Sequence, residues 1–224
     1  MRSIVFLLLI LLSTVHASED LLLCVVTARR GRSYLPEVMA GLEGQDGNFM
    51  VVDVDNSTLP SVGAVRLGLQ TVECKPGHIS CAVQQQGSDV MRALEVCSSR
   101  GSKWVALIED DMLVCDDALV TMENVLRNVD GFKTARFAKF SRAVVFPVDK
   151  IAPYASFVRA RIHETPYDIL LNSDWAPGID YIYHQSLFAH AGVVSTVAER
   201  NDPVFIATYS SLRDEACGSP LTGR

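Results

Sequence analysis

The sequence lacks any Lys/Arg cluster able to line a phosphate backbone: 20 basic residues are outnumbered by 26 acidic ones, and the formal charge is -6. Nucleic-acid binding needs several cations on one face to displace counterions, so nucleic acid is set aside as a partner. Long apolar runs are scarce as well. The N-terminal run from Ile4 to Leu12 is shorter than the roughly 20 residues that a spanning helix requires. No later segment has the length and apolarity of a membrane helix, so no transmembrane segment is expected. None of the cysteine spacings is a zinc signature, and there is no internal repeat or low-complexity tract. What remains is a chain of 224 residues that is 49% hydrophobic, enough to bury a core without a partner chain.

The short N-terminal run has Arg2 before it and Ala17-Ser18 after it. One positive charge, a brief apolar stretch and a small-residue exit read as a secretory signal peptide, dividing the chain into a leader at 1–17 and one domain at 18–224. Six cysteines follow the leader (Cys24, Cys74, Cys81, Cys97, Cys115 and Cys217), an even number that an oxidising compartment permits to pair. Cys74 and Cys81 flank a Pro-Gly turn and are spaced to close a small loop. Cys24 lies inside an apolar run and is expected to be a buried thiol. Asn56-Ser57-Thr58 is an N-glycosylation sequon. Leader, cysteines and sequon together point to the secretory pathway, in the lumen of the endoplasmic reticulum or Golgi or outside the cell.

Apolar periodicity predicts a buried strand from Leu21 to Thr27 and a helix carrying Leu35, Val38, Met39 and Leu42. It then predicts a strand from Phe49 to Val54, a helix from Ser88 to Ser99 and a strand from Trp104 to Ile108. The second half reads as a helix within Asp117–Val129, a strand from Phe137 to Phe146 and a helical stretch from Pro147 to Arg161. A helix start at Pro166 and a strand from Tyr181 to Phe188 follow. Strands that alternate with helices and are apolar on both faces imply an α/β fold with a mainly parallel sheet covered on both sides.

Ligands of such sheets bind beyond the carboxyl ends of the strands, and three polar clusters follow strands in this way: Thr27 to Arg32, Asp53 to Asn56, and Glu109-Asp110-Asp111. In an extended chain Glu109 and Asp111 share a face while Asp110 points away. Two carboxylates, leaving room for water and phosphate oxygens, suit a hard divalent cation holding a diphosphate; a solvated acidic turn is the plain alternative. Arg29, Arg30 and Arg32 form either a solvated basic loop or a clamp on phosphate through bidentate hydrogen bonds. Asp53 and Asp55 read as turn chemistry. His190 is either an ordinary surface or core histidine or a nitrogen ligand opposite Asp111. Asp168, after Thr165-Pro166, is expected in the first turn of a helix, where a carboxylate complements the helix dipole.

Four segments in order, Val25 to Leu35, Val105 to Met112, Pro166 to Leu171 and Gln185 to Gly192, resemble the N-acetylglucosaminyltransferase IV family of Golgi enzymes, which add a β1,4-linked branch to N-glycan cores. The resemblance implies a GT-A fold, a UDP-sugar donor, Mn2+ at the acidic motif, a glycan or glycoprotein acceptor, and inverting displacement. In that scheme Glu109, Asp111 and His190 surround the metal, Thr27, Arg29, Arg32 and Asp110 meet the donor, and Asp168 is the general base. The strand and acidic motifs are also similar to those of the transferase that adds N-acetylgalactosamine to GPI-anchor glycans. Lys139 stands where the first family tends to carry an acidic residue, which leaves a non-catalytic sugar-binding relative as the other alternative.

Overall fold

The computed structural model describes residues 20–28, 34–56, 63–138, 143–190 and 217. β1 (Leu21–Thr27) is buried at all seven positions, as a strand must be when both faces are covered. It pairs in parallel with β2 (Asn48–Asp53) on one side and with β4 (Trp104–Glu109) on the other. β3 (Val65–Arg66) extends β2 in parallel. Beyond β4 come β7 (Ala143–Pro147), antiparallel to it, then β6 (Phe132–Arg136) and β8 (Ile179–Ile182). Among the described residues the main sheet therefore has seven strands in the order β3-β2-β1-β4-β7-β6-β8, and β5 (Met112–Val114) pairs with β9 (Phe188–His190) in a separate antiparallel ribbon. The expected fold class, a mixed and mainly parallel sheet flanked by helices, is present.

Alternation along β1 and β4 divides the core. Leu21, Leu23, Val25, Ala106 and Ile108 face a layer containing α1 (Leu35–Leu42) and α3 (Ala118–Leu126). Leu22, Cys24, Val26, Val105 and Leu107 face α2 (Cys81–Ser98), α4 (Val148–Arg161) and α5 (Tyr167–Leu170). With period 2 in the strands, each apolar residue is committed to one layer.

Several elements differ from expectation. α2 begins at Cys81 rather than Ser88, with Ser80 as its N-cap accepting from the Val83 amide. The added turns, Gln84-Gln85-Gln86-Gly87, look like loop because they are polar, yet Gln84 is buried and clamps the preceding loop through the Lys75 amide and the Lys75 and Ile79 carbonyls. Of the strand expected over Phe137–Phe146 only the end is strand, as β7, with 139–142 outside the described residues, and β6, which ends at Arg136, was not expected. Polar Lys133 and Thr134 conceal β6 in the sequence; Lys133 is buried with its ammonium on the Ser173 carbonyl and Asp180, and Thr134 donates to the same Asp180. The strand expected over Tyr181–Phe188 splits between β8 and β9.

Cys24 corrects the expectation of a free thiol. It faces the α2 layer and is bonded to Cys97, with 6.2 Å between the Cα atoms, because the apolar face of α2 lies directly across β1. Cys74 pairs with Cys81 as the loop predicts, and Cys115 pairs with Cys217. Every cysteine is bonded. Residues 1–19, which include the expected leader, lie outside the described residues; within the described ones no helix is long and apolar enough to cross a membrane.

Candidate functional site

The carboxyl ends of β1, β2 and β4 share one edge, with Thr27 in register with Asp53 and Val26 with Glu109. There the chain turns at Asp110 and Asp111. The Asp110 amide continues the ladder to the Val26 carbonyl at 3.0 Å, and Thr27 Oγ1 donates to Asp110 Oδ2 at 2.5 Å. Both side chains are buried, Asp110 completely. A buried carboxylate needs such donors to offset its lost hydration, and this bond ties the acidic turn to the end of the central strand.

Asp111 starts a different arrangement. It precedes β5, whose first residue Met112 is in register with His190 of β9. The ribbon brings His190 Nε2 to 3.2 Å from Asp111 Oδ2. Asp111 is 95% buried, while the imidazole side chain retains about a third of its exposure, 34%. One carboxylate and one imidazole thus converge on a partly open spot at the carboxyl edge of the sheet, although 79 residues separate them in sequence.

The chain matches no family model. No curated protein sequence matches it either. Among solved structures it is similar to a glycosyltransferase involved in glycosylation of the major capsid of PBCV-1, with a TM-score of 0.49 and 13% identity over 82% of this chain and 98% of that one. It is also similar to the galactosyltransferase LgtC in complex with donor and acceptor sugar analogs, with a TM-score of 0.45 and 12% identity over 73% of each chain. Overlap and identity at this level carry no argument about activity or substrate.

Glu109 departs from the shared face expected of it. Strand alternation ends with β4 at Glu109, whose side chain belongs to the α2 layer: its Oε1 accepts from the Tyr167 hydroxyl at 2.6 Å and from Gln86 Nε2 at 3.3 Å. Among the described residues no three His, Cys, Asp or Glu side chains are grouped closely enough to hold a metal. Asp111 and His190 are brought together; Glu109 is directed to α2 and α5.

Tyr167 and Gln86 carry no signal in the sequence beyond their neighbours: Tyr167 sits between Pro166 and Asp168, and Gln86 in a polar run. Tyr167 is buried, and its own carbonyl accepts from the Tyr154 hydroxyl at 2.6 Å. Burial first, and then the Glu109 charge, pushes the Tyr167 phenol well above its ordinary range, so it remains a donor to Glu109 at any physiological pH. Tyr154 is raised too, chiefly by burial and secondarily by the charge of Asp168. Tyr167→Phe would leave Glu109 without a 2.6 Å donor; loss of a hydrogen bond to a charged group should cost about 2 kcal/mol, measurable by urea denaturation.

Asp168 lies in the first turn of α5, exposed, with its Oδ1 accepting from the Ile169 amide at 3.0 Å. It is adjacent to Tyr167 in the chain and so stands beside the Glu109 network. Arg29, Arg30, Arg32 and Lys139 lie outside the described residues. Asp53 is fully buried and its Oδ1 accepts from the Asp55 amide at 3.3 Å, a local turn bond as the sequence suggested.

Proposed function

We propose that this chain is a GT-A glycosyltransferase that moves N-acetylglucosamine or a related hexosamine from a UDP-sugar to a glycan or glycoprotein acceptor, with inversion. The observation that carries the reading is the approach of His190 to Asp111 at the carboxyl edge of a mainly parallel sheet, the edge at which such sheets bind ligands. The ordered resemblance to N-acetylglucosaminyltransferase IV supports the choice of sugar. Mn2+ fits the donor set: a carboxylate and an imidazole nitrogen are both ligands for it, and diphosphate oxygens and water complete such a shell. Asp111 and His190 would hold it, and Glu109 is better suited to fixing α5 through Tyr167. The metal would supply Lewis-acid neutralisation of the departing diphosphate.

Each remaining part follows from this chain's own groups. The Thr27–Asp110 bond and the β5–β9 ribbon hold Asp111 and His190 in one register. Arg29 and Arg32, which follow β1 in the sequence, would meet the donor phosphates. Asp168, exposed beside Tyr167, would take the proton of the acceptor hydroxyl as that oxygen bonds to the anomeric carbon and the bond to UDP breaks. Calorimetric titration with UDP-N-acetylglucosamine and UDP-N-acetylgalactosamine tests the reading. Binding that requires Mn2+ is expected; a folded chain that binds neither sinks it. A transfer product of retained anomeric configuration would remove Asp168 from the role of base.

The same reading assigns the chain to the secretory pathway. Three disulfides call for an oxidising compartment, and Asn56 of the sequon is exposed at a positive-φ turn after β2. Expressed in a secretory cell, the chain should lose the mass of one N-glycan on amidase treatment, and Asn56→Gln should not.

A further inference from the structure

On the face of the sheet carrying α1 and α3, an open cavity of about 480 Å3 lies between the end of α3 and the edge strand β8. Two kinds of side chain line it. Tyr181 and Tyr183, alternate residues that share a face where β8 ends, form one wall, and Thr121, Asn124 and Asn128 form the other, with Val125 between them. The helical residues recur at intervals of three and four, so they stand on one side of α3 and the turn that follows it. None of the lining side chains carries a charge.

The walls are fixed and the polar groups accessible. The Tyr183 ring packs on Phe137 and His184, with centroids 5.5 and 4.3 Å apart, and the Tyr183 amide continues the sheet to the Arg136 carbonyl. Asn124 and Asn128 are exposed. Asn128 donates one bond to the Asn124 carbonyl at 2.6 Å, a quarter of what a carboxamide can make. Held aromatic faces opposite exposed amides and a hydroxyl match a sugar ring, which has apolar C–H faces and a rim of hydroxyls. The absence of charge selects a neutral saccharide over a phosphate or an acidic peptide.

Both walls are joined in sequence to the β5–β9 ribbon. α3 follows β5 through Asp116 and Asp117, and the chain from Tyr183 passes through Gln185 into β9. We propose that this groove is a second saccharide-binding site, one that holds a neutral part of a glycan away from the reacting end. Its service to an acceptor rests on the transferase reading, whereas the binding itself does not.

The test is saturation-transfer NMR and titration of the parent chain with triacetylchitotriose and mannotriose, without Mn2+ or nucleotide, repeated on Asn124→Ala/Asn128→Ala and on Tyr181→Ala. The expected result is binding of at least one trisaccharide, weakened tenfold or more in both variants. The asparagine pair is exposed, so those changes leave the fold intact even where Tyr181→Ala loosens β8. Binding of neither trisaccharide, binding indifferent to the asparagine substitutions, or sedimentation showing that the groove is closed by a second copy would overturn the proposal. Trisaccharide binding without any UDP-sugar binding would keep the groove and remove the transferase; the reverse pattern would remove the groove alone.

Discussion

Asp111→Asn should abolish Mn2+-dependent binding of the UDP-sugar while the chain stays folded. Removing a carboxylate from a metal held by two protein groups forfeits several kcal/mol of charge stabilisation, and 1.4 kcal/mol is a factor of ten, so a loss on the order of a thousandfold is expected in the donor titration. Asp111 is nearly buried and adjoins the His190 imidazole. Asparagine is nearly isosteric and can still bond to His190, so the melting temperature should move little. His190→Ala should weaken the metal dependence in the same titration without touching the Thr27–Asp110 bond that shapes the turn. Glu109→Gln separates the two carboxylates: because Glu109 engages Tyr167 and Gln86, it should lower stability and spare metal-dependent binding. Donor binding in Asp111→Asn equal to that of the parent would refute the metal assignment.

Replacing Cys24 and Cys97 with alanine should cost about 4 kcal/mol. The pair is separated by 73 residues, and the chain-entropy model makes the penalty grow with the logarithm of the closed loop. Cys74 and Cys81 are separated by 7, for which the same model gives about 2 kcal/mol. Both ends of the longer link are fully buried, in β1 and α2, so its loss also removes packed atoms between the sheet and the helix over it. For a domain of this size the expected fall in melting temperature is on the order of 10 °C, against roughly half that for Cys74→Ala/Cys81→Ala. Scanning calorimetry checks the order. Equal shifts for the two pairs would mean that closure entropy does not govern this chain.

The order of elements was legible from residue patterns. β1, α1, β2, β4 and α4 are strongly apolar or periodic, and their boundaries fall within a few residues of those expected. Where polar residues sit inside elements, the pattern misleads. β6 contains Lys133 and Thr134, and the first turns of α2 contain three glutamines. Each is tolerated because a partner outside the element, Asp180 and Ser173 for the strand and the Lys75–Ile79 loop for the helix, satisfies its hydrogen bonds. Local propensity carries no information about such partners.

The site divides along the same line. Sequence by itself determined that an acidic turn follows a buried strand, that Asp168 opens a helix, and that a histidine follows a strand, because strand burial and helix starts are written in neighbouring residues. Only the tertiary structure decided which carboxylate each partner meets. Strand pairing across 79 positions sets His190 against Asp111, and the packing of α5 on α2 gives Glu109 to Tyr167. The linkage of Cys24 to Cys97 was decided in the same way, by α2 lying across β1. Side-chain direction is local, but what a side chain meets depends on register and layer packing, which are fixed only when the whole sheet has formed.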